Sequence, residues 1–189
     1  KEDMMTEVAA VLAFSAINNN DKVGMIFFSD RIEKFIPPKK GTSHILRIIR
    51  ELIDFKPESQ KTDISEALKF LTNALKKRCT AFIISDFIDT GFKDPLTIAN
   101  NKHDVVAVRV YDERETELPK MGMVKMFNKE TGKSLWVDTM NRSTRENYRK
   151  WWIKHEGELN SIFRKSGVDS TTIKTNEDYV KPLVNLFKI

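Results

Sequence analysis

Residues 3–18 place Met5, Val8, Ala9, Leu12 and Ala16 at helical spacing and predict an amphipathic helix, closed by the turn-forming run INNNDK. Two different apolar patterns follow it. VGMIFF (23–28) is a continuous β-branched and aromatic run, as in a strand buried on both faces. RIEKFIPP (31–38) alternates apolar and polar positions toward two prolines, as an edge strand does. Joined by SDR, the two predict an antiparallel hairpin.

After Gly41, Thr42 is placed to cap a helix whose face is Ile45, Leu46, Ile49, Leu52 and Ile53. The loop DFKPESQKT leads to a second helix, about 63–77, with Ile64, Ala67, Leu68, Leu71 and Leu75 inward. CTAFIIS (79–85) and DVVAVRVY (104–111) are buried-strand patterns separated by a short helix, FKDPLTIANNK (92–102). Strands nearly continuous in hydrophobicity, alternating with helices, predict an α/β fold. Its sheet is doubly wound and mostly parallel, with helices on both faces and one antiparallel edge strand. Residues 113–140 interrupt the rhythm: GMVKMF, NKETG and SLWVDT predict a β-hairpin inserted at the sheet edge. A helix over about 143–166 follows, with Tyr148, Trp152, His155, Leu159, Ile162 and Phe163 on one stripe. STTIK forms a last strand, and Val180, Leu183, Val184 and Phe187 mark a final helix whose start Pro182 obscures. A single domain spans 1–189.

Composition narrows the functional classes. The net charge of +5 is spread over every segment, without a basic stripe interleaved with aromatics, which argues against a nucleic-acid groove. Cys79 is the only cysteine, which excludes an internal disulfide and a thiolate zinc site. No apolar run reaches the ~20 residues that span a bilayer, and a cytoplasmic location fits. The chain opens inside its first helix without an initiator methionine, so the expectation is an N-terminally incomplete domain with room for an upstream anchor.

The chemistry gathers around KTDISEAL (61–68). Asp86 emerges at the carboxyl end of the 80–85 run and Asp112 at that of the 104–111 run, where open α/β sheets collect ligands. Thr62 opens a helix on the preceding loop. A hydroxyl and a carboxylate completed by waters suit Mg²⁺, which takes oxygen ligands. Equally, Asp63 and Glu66 fit a capping box, leaving Thr62 as the residue before a cap and Asp86 as a turn cap. His44, His103 and His155 have no metal spacing, and Trp136, Trp151 and Trp152 suit packing. There is no Gly-rich phosphate loop, and Ser85 lacks a nucleophile elbow. An enzymatic alternative is a metal-dependent phosphoesterase or nuclease in which Asp86, Asp89 and Asp112 hold two ions.

The order of elements, with KTDISEAL as a threonine loop and IISDF as an aspartate ending the fourth strand, resembles the von Willebrand factor A family. The later stretch DERETELPKMGMVKMFNKETGKSLWVDT is similar to the insertion of a bacterial subgroup, the domain of unknown function number fifty-eight. That resemblance implies a protein-interaction module with a metal-ion-dependent adhesion site. Thr62 and Asp86 would be ligands of Mg²⁺ (or Mn²⁺ or Ca²⁺), with Asp63 and Asp112 behind them. A partner's acidic side chain would complete the sphere, and a MoxR-type AAA+ ATPase would be a working partner. The family's first strand and its D-x-S-x-S loop have no match, which implies weak or absent metal binding by this stretch alone. It also implies two unpaired strand edges through which a second chain could pair.

Overall fold

The structure, a computed structural model, describes residues 1–59, 61–128 and 133–186. In chain order the elements are α1 (Glu2–Asn18), β1 (Val23–Phe28), β2 (Ile32–Lys39), α2 (Thr42–Asp54), α3 (Ile64–Ala74), β3 (Thr80–Ser85) and α4 (Lys93–Lys102). They continue with β4 (Asp104–Tyr111), a 3-10 turn (Glu113–Glu115), β5 (Met123–Asn128), β6 (Lys133–Asp138), α5 (Arg142–Lys165), β7 (Asp169–Lys174) and α6 (Val180–Leu186).

Strand β4 organises the molecule. It runs parallel to β3 on one side and to β7 on the other, and every residue after Asp104 is buried. Its side chains alternate between two cores. Val106, Val108 and Val110 meet Val8 of α1 and Leu183 of α6. Val105 and Ala107 meet Ile64 and Leu68 of α3, Leu96 of α4, and Leu159 and Phe163 of α5. Burying a side chain of this size stabilises by about 1.5–3 kcal/mol, which is why an uninterrupted apolar run suits a strand covered on both faces. The sheet is thus doubly wound and mostly parallel, with helices on both faces.

Strands β1 and β2 form the expected antiparallel hairpin, with a third core of Phe27, Ile36 and Ile48 beneath α2. Gly24 lies against β2 so closely that a Cβ there would fall 2.8 Å from the Ile36 carbonyl oxygen. Among the described residues, β1 bonds only to β2, and β3 bonds only to β4. The double burial expected for β1 and β3 is therefore not reached: Phe27 alone is buried in β1, and only Ile83 and Ser85 in β3. Among the described residues, each has a strand neighbour on one side only.

Smaller departures have local causes. Gly41, at φ +104, caps α2 in place of Thr42, which is the first helical residue. The inward face of α2 is centred on Ile45 and Ile48, so Leu46 and Ile53 face solvent. Helix α3 ends at Ala74, short of 77. Pro182 falls in the first turn of α6, where a missing N–H costs little, while Phe187 lies outside the described residues. The inserted hairpin β5–β6 is a separate two-stranded sheet, and its NKETG turn falls mostly outside the described residues. Its neck is clasped by the buried Thr139, whose hydroxyl donates to the Gly122 carbonyl at 2.7 Å and accepts from the Met121 amide at 2.9 Å. Of the three tryptophans only Trp152 is a packing anchor, because Trp136 stands on the outside of the hairpin and Trp151 is half exposed.

Candidate functional site

Three chain segments meet at the carboxyl ends of β1 and β3, around the N-terminus of α3. The Asp63 amide donates to the Ser29 carbonyl at 2.9 Å, tying α3 to the end of β1. The next amide, Ile64, donates to Asp89 Oδ2 at 2.8 Å, tying α3 to the loop after β3. A carboxylate on the free amides of a helix N-terminus is the charge arrangement the helix dipole favours. Asp63 is the cap, its Oδ1 accepting from the Glu66 amide at 3.0 Å. The reciprocal half of the expected capping box is absent, because Ser29 has taken the Asp63 amide and Glu66 pairs with Lys69.

Asp86 follows Ser85 directly. Its Oδ1 accepts from the Ile88 amide at 3.2 Å, the turn-capping role its position allowed. Its Oδ2 receives the Lys1 ammonium at 2.8 Å, and the same ammonium reaches Glu115 Oε1 at 2.8 Å. Burial opposes the charge on Lys1, but the hydrogen bonds to Asp86 and Glu115 outweigh it and hold its pKa above the ordinary lysine value. Phe87 sits at φ +55, a left-handed backbone rare for a bulky residue. That kink drops the Phe87 ring into the core against Phe163 and Phe92 while Asp86 stays at the rim.

The carboxylates beside Asp86 are committed to the backbone. Asp89 accepts from Ile64 and Thr90, and burial, with the charges of Asp63 and Asp86, raises its pKa. Asp112 begins the 3-10 turn in a full capping box with Glu115, and the Arg114 amide holds its pKa below the ordinary range. Thr62 is exposed, two residues before Ile64. Asp63, Asp86 and Asp89 therefore share one electrostatic neighbourhood, and Asp112 connects to it through Glu115 and Lys1. Among the described residues, no group of three or more His, Cys, Asp or Glu side chains is placed to hold a metal ion. The Asp86 carboxylate and the Thr62 hydroxyl would supply at most two of the six positions Mg²⁺ requires, so a tight divalent-ion site needs ligands beyond them.

Two further groups belong to this region. Ser29, almost wholly buried, donates its hydroxyl to Asp30 Oδ1 at 3.3 Å, and Asp30 is held ionised chiefly by Ser59. Glu115 shares the Lys1 ammonium. The signal for the first was present: VGMIFF and AFII are both followed by Ser-Asp, at 29–30 and at 85–86.

The fold and this arrangement define an α/β protein with a carboxylate-rich cluster at the strand ends. The chain belongs to the family described as protein of unknown function DUF58, whose model matches residues 1–158. An uncharacterised protein of Mycobacterium tuberculosis (strain H37Rv) is 23% identical over 187 residues, covering 97% of this chain and 59% of the relative. The chain thus spans about three-fifths of the length of that relative. A second, from Mycobacterium avium, is 29% identical over 156 residues, or 81% of this chain and 92% of that one. The crystal structure of the conserved hypothetical protein BatB from Bacteroides thetaiotaomicron superposes with a TM-score of 0.57 at 17% identity, covering 96% of this chain and 84% of that one, a likeness of fold. Among the described residues, no helix is long and apolar enough to cross a membrane.

Proposed function

We propose that this chain is a von Willebrand factor A-like protein-interaction module acting by binding rather than catalysis. Asp86 and Thr62 are its contribution to a metal-ion-dependent adhesion-type site for Mg²⁺ or a similar ion, with Asp63 and Asp112 behind them. The remaining ligands come from outside the residues described above, the last being an acidic side chain of a protein partner. A MoxR-type AAA+ ATPase, in the cytoplasm, is the partner class, and assembly or maturation of other proteins the setting.

The observation carrying this reading is the Lys1 ammonium on Asp86 Oδ2, at the carboxyl ends of the strands. It supports reading Asp86 as a carboxylate that can take a cation: its Oδ2 meets an ammonium, although its Oδ1, like the carboxylates of Asp63, Asp89 and Asp112, accepts from a backbone amide. The two-ion hydrolase reading needs Asp86, Asp89 and Asp112 on a shared pair of metals, and the backbone commitments of the latter two weigh against it.

The test is binding to a MoxR-type ATPase by surface plasmon resonance in Mg²⁺ and in EDTA. Binding that requires Mg²⁺ and is lost in Asp86→Ala supports the proposal. Binding indifferent to both, or no binding in either buffer, sinks it.

A further inference from the structure

The inserted hairpin contributes to none of the three cores. Beyond their contact with each other, β5 and β6 touch other elements only slightly, and among the described residues each has one strand neighbour. A two-stranded sheet by itself is marginally stable in water and gains independence from further strands or a covered face. Yet Met121, Met123, Leu135, Trp136 and Met140 are 59–71% exposed. Leu135 and Trp136 are consecutive in β6, so they point to opposite faces of the hairpin, and both stand in solvent. A partner laid on one face covers only one of them. A strand added along the edge of β6 flanks both.

That edge is unguarded. The Thr139 amide donates to the Gly122 carbonyl at 2.9 Å, and hydrogen-bonded pairs alternate along the ladder from there, at Val124 with Val137 and at Met126 with Leu135. The backbone groups of Ser134, Trp136 and Asp138 therefore point away from β5. Between Lys133 and Asp138 the strand has neither charge nor proline, the devices by which natural edges resist pairing. β5 does carry such a charge, Lys125, in the middle of its outer edge. The β6 pattern is also self-complementary. A second β6, laid antiparallel about a two-fold axis at Trp136, sets Ser134 opposite Asp138, Leu135 opposite Val137 and Trp136 opposite Trp136. With the axis at Leu135 or Val137 instead, only two of the three outward-facing residues find partners in β6. Asp138 Oδ1 accepts from the Met140 amide at 2.9 Å, which leaves its other oxygen for the Ser134 hydroxyl of the second copy.

We propose that β6 is the interface of a reversible dimer, in which two copies of this chain join their hairpins edge to edge into one four-stranded antiparallel sheet. The Trp136 pair lies at the centre of one face, a cross-strand aromatic contact. Leu135 and Val137 seal the other face, and a serine–aspartate pair closes each end. A contact confined to two six-residue strands and their side chains belongs to the small class, below roughly 1,200 Å² in total, so the association is weak. The dimer is independent of the metal reading and of the edges of β1 and β3, because it uses no residue of either.

Sedimentation equilibrium of the whole chain across roughly 1 µM to 1 mM is expected to show monomer and dimer in exchange. Trp136→Lys sets like charges opposite each other at an exposed position, and is expected to weaken the dimer roughly tenfold or more while leaving the folded monomer intact. Amide exchange of the wild type, followed by NMR at both ends of that range, reads the geometry. The Ser134, Trp136 and Asp138 amides are expected to exchange more slowly in the dimer. A chain that stays monomeric throughout overturns the proposal and leaves the edge to a strand of different sequence. A dimer that Trp136→Lys leaves intact, or whose three amides exchange as fast as in the monomer, overturns it too and places the contact elsewhere. The wild-type exchange decides the matter even if Trp136→Lys fails to fold.

Discussion

The Lys1 ammonium stands 2.8 Å from Asp86 Oδ2 and 2.8 Å from Glu115 Oε1, bridging carboxylates that follow two different strands. Asp86 follows β3, and Glu115 lies in the turn after β4, so Lys1 links the ends of the two strands. A divalent cation approaching Asp86 meets a resident positive charge and has to displace it.

Lys1→Ala is expected to strengthen Mn²⁺ binding at Asp86. A partly exposed ion pair contributes up to about 1 kcal/mol, so its removal should raise affinity by roughly fivefold. Isothermal titration calorimetry checks this, with Lys1→Arg as the charge-preserving control. Equal Mn²⁺ affinity in Lys1→Ala and Lys1→Arg would rule out competition.

Thr62 and Asp63 are adjacent but should behave differently. Asp63 caps α3, so Asp63→Ala is expected to cost about 1 kcal/mol in urea unfolding. Thr62 is exposed, and Thr62→Ala should change stability by no more than about 0.5 kcal/mol. A Thr62→Ala change that leaves stability intact but weakens Mg²⁺-dependent partner binding would mark it as a ligand. Loss of stability comparable to Asp63→Ala would return it to the cap.

Phe87 is fully buried at φ +55 between Phe92 and Phe163. Phe87→Ala should cost about 3–5 kcal/mol through the cavity it leaves. Phe87→Leu keeps most of the volume and should cost less. Thermal melts of the two variants check this: equal losses would show that side-chain volume does not set the cost.

His103 is fully buried and His155 half buried, and burial lowers both pKa values from 6.5, assisted by Lys102 and Arg78 for the first and Arg109 for the second. A depressed histidine pKa stabilises the neutral folded form above the unfolded value and loses that contribution as pH falls below it. The unfolding free energy should therefore be level from pH 8 to 7 and decline from about 6.5 toward 5. Asp89, raised by burial, acts in the opposite sense, but nearer its own ordinary value of 3.8. His103→Gln and His155→Gln should each flatten the decline. A profile still level at pH 5 would contradict neutral buried histidines.

Elements with strong periodicity were legible in the sequence. DVVAVRVY is apolar at nearly every position, and it became the strand buried on both faces. VGMIFF and AFII carry the same pattern but became half-buried edges, because periodicity reports what a strand can bury and not which neighbours it finds. KTDISEAL identified the α3 cap and the loop that meets the end of β3. It did not reveal that the Asp63 amide would go to Ser29, 34 positions earlier, since pairing across that span is set by tertiary packing. Arg109 gave no warning either: a single arginine inside VAVRVY looks like an outward-facing residue until α5 covers it.

The open edges of β1 and β3 have a mechanical consequence. Both strands deliver their carboxyl ends to the first turn of α3, yet among the described residues no strand-to-strand hydrogen bond holds them together. The width of the cluster between Ser29 and Asp86 is consequently set by helices leaning on one another, α3 on one face and α1 across α2 and β3 on the other. Among the described residues, the spacing of Ser29 from Asp86 thus rests on helix packing and on the two amides that open α3, and not on a strand ladder.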